Sequence, residues 1–165
     1  MKADLKPATR AAQALGLECE VTGAVVPPIH VSTTFARDAD YELPTEHGYG
    51  RDQNPTFMQP EAVIADLEGG AAALLFASGM AACTAPFQVL RQGDHVVVPD
   101  IMYYGLPKWL RGFGADRGLD VDFVPTADLD TLAAAVRPGA TKLVWVESPC
   151  NPVWRVTDLA AAAEI

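Results

Sequence analysis

Long apolar runs are missing from this chain. No stretch approaches the ~20 residues that a bilayer-spanning helix needs, so no membrane association is expected. The opening residues, Met1 to Arg10, carry charges but no apolar segment of the secretory type. Cysteine is scarce: Cys19, Cys83 and Cys150 are an odd number at wide spacings. That excludes a disulfide framework or a zinc set and points to a reducing cytoplasm. His30, His47 and His95 share no metal-ligand spacing, and no Ser/His/Asp order stands out. Clustered positive charge is also absent. The net charge is −9 with the basic residues scattered, so a phosphate backbone would be repelled and nucleic acid is excluded as a partner. There is no internal repeat and no low-complexity linker.

What is present is ample apolar material. Half of the 165 residues are hydrophobic, enough for one domain with a sizeable core. The pattern divides the chain in two. Residues 1–55 show little sustained periodicity and contain Pro27-Pro28, Pro44 and Pro55, with Gly48 and Gly50 between. They read as an extended N-terminal arm with short regular pieces, of a kind that needs another surface to lie on. Residues 56–165 are regular. Pro60 is expected in a first helical turn, with Val63, Ile64 and Leu67 on one face and Gly69-Gly70 as the stop. The run Ala73 to Ala77 is expected as a strand leading into a helix over about 81–91. His95 to Val98 is a buried-type strand without polar alternation. A helix is expected from Pro107 to Gly112, a strand at Val121 and Phe123, and an amphipathic helix from Leu129 to Val136. Another strand covers Leu143 to Val146, and Thr157 is expected to cap a last helix. Strands alternating with helices predict an α/β fold: a mostly parallel sheet with helices on both faces. The last helix has no C-cap and no strand after it, so the sheet is expected to be incomplete at the C-terminus.

In open α/β sheets, ligands bind beyond the carboxyl ends of the strands. Three such places carry unusual residues. Ser78-Gly79-Met80 combines a small-residue turn with a helix start, where a close backbone and free N–H groups suit an anion. Read alone, Ser-Gly is more often an ordinary tight turn. Tyr103-Tyr104-Gly105 offers an aromatic that could stack on a planar ring, although such a tyrosine is commonly core or rim. Glu147-Ser148-Pro149-Cys150-Asn151-Pro152 places Asn151 in a loop stiffened by two prolines. In the arm, Tyr49-Gly50-Arg51 pairs a planar guanidinium fork with a hydroxyl, either a phosphate contact or a solvated surface pair. The glycines Gly112, Gly114 and Gly118 follow a helical stretch rather than a strand and have the wrong spacing for a dinucleotide loop.

Taken in order, a set of segments resembles the Cys/Met-metabolism (transsulfuration) family of pyridoxal-phosphate (PLP) enzymes. The carrying residues are Thr22 to Ile29, Ser32 to Phe35, Tyr49 to Arg51, Asn54 to Thr56 and Leu67 to Gly70. They continue with Ala77 to Met80, Gly93-Asp94, Tyr104-Gly105 and Glu147 to Pro152. The resemblance implies the large domain of the fold type I PLP-dependent transferases, entered through the arm. It implies that Ser78, Gly79 and Met80 hold the cofactor phosphate and that Tyr49 and Arg51 reach that of a neighbouring subunit, Tyr49 also meeting substrate. Tyr104 would stack on the pyridine ring and help deprotonate the incoming amine, as the one catalytic residue expected here. Asn151 would contact the ring's phenolic oxygen or the substrate carboxylate, while Glu147 holds its loop. No metal is implied. The implied partners are a small amino-acid substrate and further copies of the chain, as a dimer or a dimer of dimers (a homotetramer), in the cytoplasm.

The resemblance further implies chemistry at a C–S bond on the β or γ carbon of a sulfur amino acid or acyl-homoserine, within methionine and cysteine metabolism. The run Tyr104-Gly-Leu-Pro-Lys-Trp-Leu110 looks most like a cystathionine γ-synthase or β-lyase-type branch. It departs from the family at Leu106-Pro107, where a small residue and a threonine are common. None of Lys2, Lys6, Lys108 and Lys142 lies in the Ser-x-Thr-Lys setting expected of the Schiff-base lysine. Lys142 reads as a strand-edge charge. This segment alone is therefore expected to be inactive. A non-catalytic assembly or cofactor-phosphate-binding module is the alternative, and a generic nucleotide-binding domain is disfavoured.

Overall fold

A computed structural model describes residues 5–165, so Lys2 lies outside the described residues. The described residues form two compact units that meet in sequence between Leu75 and Phe76.

In the first unit, helix α1 (Pro7–Ala12) packs on helix α2 (Pro55–Glu68), and Arg10 donates to Asp66 at 2.6 Å. Helix α2 begins earlier than its proline pattern suggests. The buried Asn54 side chain accepts from the Thr56 N–H at 2.9 Å as N-cap, Pro55 takes the first position, and Pro60 falls inside the helix. Gly69, with φ of 66°, closes it in the left-handed conformation. The run 73–77 forms no strand. Its backbone pairs with no other strand among the described residues, and Leu74, Leu75 and Phe76 remain exposed. An apolar run becomes a strand only where a neighbouring ladder takes its N–H and C=O groups.

The second unit is an α/β layer. Three parallel strands lie in the order β2 (Asp120–Val124), β1 (His95–Pro99), β3 (Thr141–Val144). Val96 registers with Val121 and Leu143, and Val98 with Phe123. Registered residues point to one face of a sheet. That face packs Val96 and Val98 against Phe87 of helix α3 (Gly79–Gln88) and Leu106 of helix α4 (Gly105–Trp109). Val97 faces the other way and is fully buried, as is Leu132 of helix α5 (Leu129–Ala135), which packs along β2. All five residues of β1 are buried, as a central parallel strand requires.

Local chemistry moves several boundaries. Ser78 caps α3 by accepting from the Ala81 N–H at 3.1 Å, so the helix starts at Gly79 rather than near 81. Helix α4 starts at Gly105, two residues before Pro107, and runs on through a π-helical stretch, Leu110–Gly114. Gly112 does not stop it. The stop is Gly118, at φ of 71°, whose neighbour Leu119 donates back to the Gly114 carbonyl. The last helix, α6 (Leu159–Ala163), is capped by Asp158, not Thr157. Thr157 is instead buried and exchanges hydrogen bonds with the Ser148 hydroxyl, at 3.0 and 3.1 Å.

Candidate functional site

In the first unit, the motif segments of the arm tie to one another. Thr34 and Tyr49 form an antiparallel bridge, and the Gly50 N–H donates to the Thr33 carbonyl at 2.7 Å. A Cβ on Gly50 would lie 2.6 Å from the Ser32 carbonyl oxygen, so only glycine fits this approach. Asn54 donates from its amide to the His30 carbonyl at 3.0 Å, and the His30 N–H donates to Thr56 at 2.8 Å. Three short motifs thus make one knot, which presents Tyr49 and Arg51. The Arg51 guanidinium lies 5.3 Å from the Tyr49 ring centre and donates to its hydroxyl at 3.2 Å. Its charge has no carboxylate partner among the described residues.

In the second unit, the loop after β1 lies against Met80 in the first turn of α3, and Glu147 ties it to the loop after β3. The N–H groups of Gly79 and Met80 belong to the first helical turn, and no acceptor for them exists among the described residues. A Cβ added at Gly79 would meet nothing within 4 Å, so the space before the helix is open. Free donors, a positive dipole end and open space fit a phosphate. Met80 reaches the Tyr104 loop: a Cβ on Gly105 would lie 2.9 Å from Met80 Sδ and 2.8 Å from Tyr103 Cε1. Tyr104 is exposed, its ring centre 4.9 Å from that of Tyr103. Hydrogen bonding to Tyr104 pushes the Tyr103 phenol above its ordinary value.

Glu147 joins these parts. Its carboxylate accepts the Tyr103 N–H at 3.0 and 3.2 Å and the Asn151 N–H at 3.0 Å. The loop after β1 and the loop after β3 are therefore held by one side chain, the loop-holding role expected for it. Burial, then the Glu147 charge, pushes the Cys83 thiol on α3 up. Asn151 lines a pocket of about 200 Å³ with Pro149, Cys150 and Trp154. Ser78, Gly79, Met80, Tyr104 and Asn151 thus belong to the second unit, and Tyr49 and Arg51 to the first. Lys142 donates to the Gly139 carbonyl at 2.8 Å, as a strand-edge charge. Sequence reasoning passed over a larger cavity of about 620 Å³ bordered by Tyr104, Lys108 and Arg111. The spacing i, i+4, i+7 of these three is the signal that marks one helix face.

The family model described as Cys/Met metabolism PLP-dependent enzyme matches residues 8–165. The chain belongs to this family. A cystathionine gamma-synthase of Mycobacterium tuberculosis is 42% identical over 165 residues, covering 96% of the chain and 41% of the relative. A human cystathionine gamma-lyase is 39% identical over 145 residues, covering 86% of the chain and 35% of the relative. The crystal structure of metB from Corynebacterium glutamicum superposes with a TM-score of 0.91 at 35% identity, over 98% of the chain and 42% of that structure. The chain thus spans about two fifths of the length of the relatives it matches. Family members are PLP-dependent, and the α/β layer with its parallel sheet is their fold.

Proposed function

We propose that this chain supplies the phosphate side of the PLP site in an enzyme that makes or breaks a C–S bond at the β or γ carbon of a sulfur amino acid or acyl-homoserine, most like a cystathionine γ-synthase. The supporting observation is the convergence just described. Glu147 holds the Tyr103-Tyr104 and Asn151 loops together, and Met80, in the first turn of α3, lies against Gly105. When bound, PLP supplies an electron sink that stabilises negative charge beside the amino group. The chain's own residues bind and orient. The Gly79 and Met80 N–H groups hold the phosphate, with Ser78 fixing the turn. Tyr104 covers the ring and takes the proton from the incoming amine. Asn151 contacts the ring's phenolic oxygen or the substrate carboxylate. Tyr49 and Arg51 reach the phosphate bound by a neighbouring copy, with Tyr49 also meeting substrate. This reading needs at least a dimer, or a dimer of dimers. Exposed Val21, Val25, Val26, Ile29 and Val31 support an arm over residues 1–55 that lies on another subunit. The free cysteines support a cytoplasmic setting.

The test uses the full-length protein. The expected result is a visible PLP absorbance band, with thioether formed from an acyl-homoserine and cysteine, or cleaved from cystathionine. A full-length protein that binds PLP without any C–S chemistry would instead favour the assembly module.

A further inference from the structure

The loop after β1 carries two phenols, and the proposed reaction uses only Tyr104. Tyr103 is the fixed member of the pair. Its N–H is held by both oxygens of Glu147, at 3.0 and 3.2 Å. Its ring lies against the Gly105 backbone, where an added Cβ would stand 2.8 Å from Cε1 and 3.4 Å from Cδ1. The two tyrosine rings are 4.9 Å apart between centres and tilted by 51°. Tyr104 is the freer of the two, 75% exposed against 39% for Tyr103. The side-chain hydrogen bond between them pushes the Tyr103 phenol above its ordinary value, so Tyr103 keeps its proton.

An ordinary phenol is protonated near neutral pH and takes no proton from an amine. A tyrosine that does so must first be ionised, and a donor placed beside its oxygen stabilises that form. The backbone clamp and the packed ring hold such a donor in place before any substrate arrives.

From this arrangement we infer that Tyr103 is a positioning residue for the proton step, its hydroxyl donating to the Tyr104 oxygen that accepts the proton of the incoming amine. The amine N–H bond breaks, its electron pair stays on nitrogen, and the Tyr104 O–H bond forms. Tyr103 keeps its own proton throughout. The inference rests on the reading of Tyr104 as the residue that deprotonates the amine. Other charges stand nearby: Asp100, Lys108 and Arg111 share a cavity wall with Tyr104, Glu147 sits at the Tyr103 N–H, and the Cys83 thiol on α3 feels the Glu147 charge. All of them remain in Tyr103→Phe, which removes one hydroxyl and keeps the ring.

The test uses the full-length PLP-loaded enzyme, its Tyr103→Phe variant and its Tyr104→Phe variant, with cystathionine or with an acyl-homoserine and cysteine. In Tyr103→Phe the acidic limb of the kcat/KM profile is expected to move up by about one pH unit. The rate then falls roughly tenfold below the limb and returns to the wild-type value above it. A readout apart from turnover is NMR of protein labelled at tyrosine Cζ, with the Tyr104 signal assigned by its loss in Tyr104→Phe. Its titration midpoint is expected to rise in Tyr103→Phe. An unmoved midpoint overturns the inference, and so does a rate loss that is uniform across pH, as packing alone would give. A Tyr104→Phe variant that keeps the wild-type profile is failure of the Tyr104 reading itself. Loss of the limb in Tyr104→Phe beside an unmoved limb in Tyr103→Phe is failure of the inference alone.

Discussion

Glu147 accepts the Tyr103 N–H on both carboxylate oxygens, at 3.0 and 3.2 Å, across 44 residues of sequence. One of those oxygens also accepts the Asn151 N–H at 3.0 Å. A carboxylate with two acceptors can satisfy both donors; an amide presents one acceptor and an NH₂ group that opposes a backbone N–H. Glu147→Gln is therefore expected to loosen both loops together, at a cost of about 1 kcal/mol given the partial exposure of the site. In the full-length protein the expected signature is a shifted or weakened visible circular dichroism band of the bound PLP, alongside a lower Tm. A wild-type band with only a lowered Tm would reduce Glu147 to a general packing role.

Among the described residues, Arg51 has a tyrosine hydroxyl as its one side-chain partner, 3.2 Å away. A guanidinium so placed is available to a phosphate, and such a contact is typically worth ~1.5–3 kcal/mol. Arg51→Ala is expected to weaken PLP retention by roughly 10- to 100-fold, measured by dialysis of the full-length protein against PLP-free buffer. Unchanged retention would sink the phosphate role.

Gly50 sets that residue's position. An added methyl would stand 2.6 Å from the Ser32 carbonyl oxygen, a backbone atom with no rotamer to move into. Gly50→Ala is expected to open the bridge between Thr34 and Tyr49 and to destabilise the first unit by ~1–3 kcal/mol, the usual range for overpacking. Denaturant melts of the full-length protein, together with PLP retention, check this. A variant that melts like wild type would mean that the knot yields easily.

How far the fold was legible depends on where its determinants lie. The β1 strand announces itself, because a run of three valines without polar alternation suits only a strand covered on both faces. The knot of Ser32, Tyr49-Gly50-Arg51 and Asn54 does not. Its pieces are joined at backbone groups of His30 and Thr33, which no side-chain pattern records. The run 73–77 reads as a strand on composition alone, yet a strand is defined by its neighbour and none pairs with it among the described residues. Thr157 and Asp158 are both good caps by type, and the Ser148 hydroxyl decides between them by engaging the threonine. At the site, Gly79, Tyr104 and Asn151 were visible as motif residues. That Tyr104 stands one turn before Lys108 on the same helical stretch was hidden, because helix α4 begins before the proline that seemed to open it.

Two of the three thiols should separate by environment. The Thr22 hydroxyl and its backbone N–H hold the Cys19 thiol below its ordinary value, whereas burial and the Glu147 charge raise that of Cys83. The thiolate is the reactive form. Limited alkylation near neutral pH is expected to modify Cys19 well before Cys83, read by peptide mass spectrometry. Reversal of that order would contradict the assigned environments.

Acid should act at the far edge of the sheet, away from the carboxyl ends of the strands. There the buried His95 on β1 contacts Asp122 of β2 at 3.1 Å and Thr141 of β3 at 2.7 Å, and Arg137 donates to Asp122 at 2.7 Å. Burial pushes the Asp122 carboxyl up, but hydrogen bonds from His95 and Arg137 outweigh it and leave the group below its ordinary value. A carboxyl with a lowered folded-state pKa contributes stability above its unfolded value, near 3.9, and loses it as pH falls through the folded value. Arg137 stays charged throughout, and it also pairs with Asp120 in the same cluster. Asp122→Asn is expected to lower Tm at pH 6, with the difference from wild type shrinking as pH falls below about 4. Melts of the full-length protein between pH 3 and 7 decide it. A difference that stays constant across that range would show that Asp122 acts there through packing and hydrogen-bond geometry, and not through its charge.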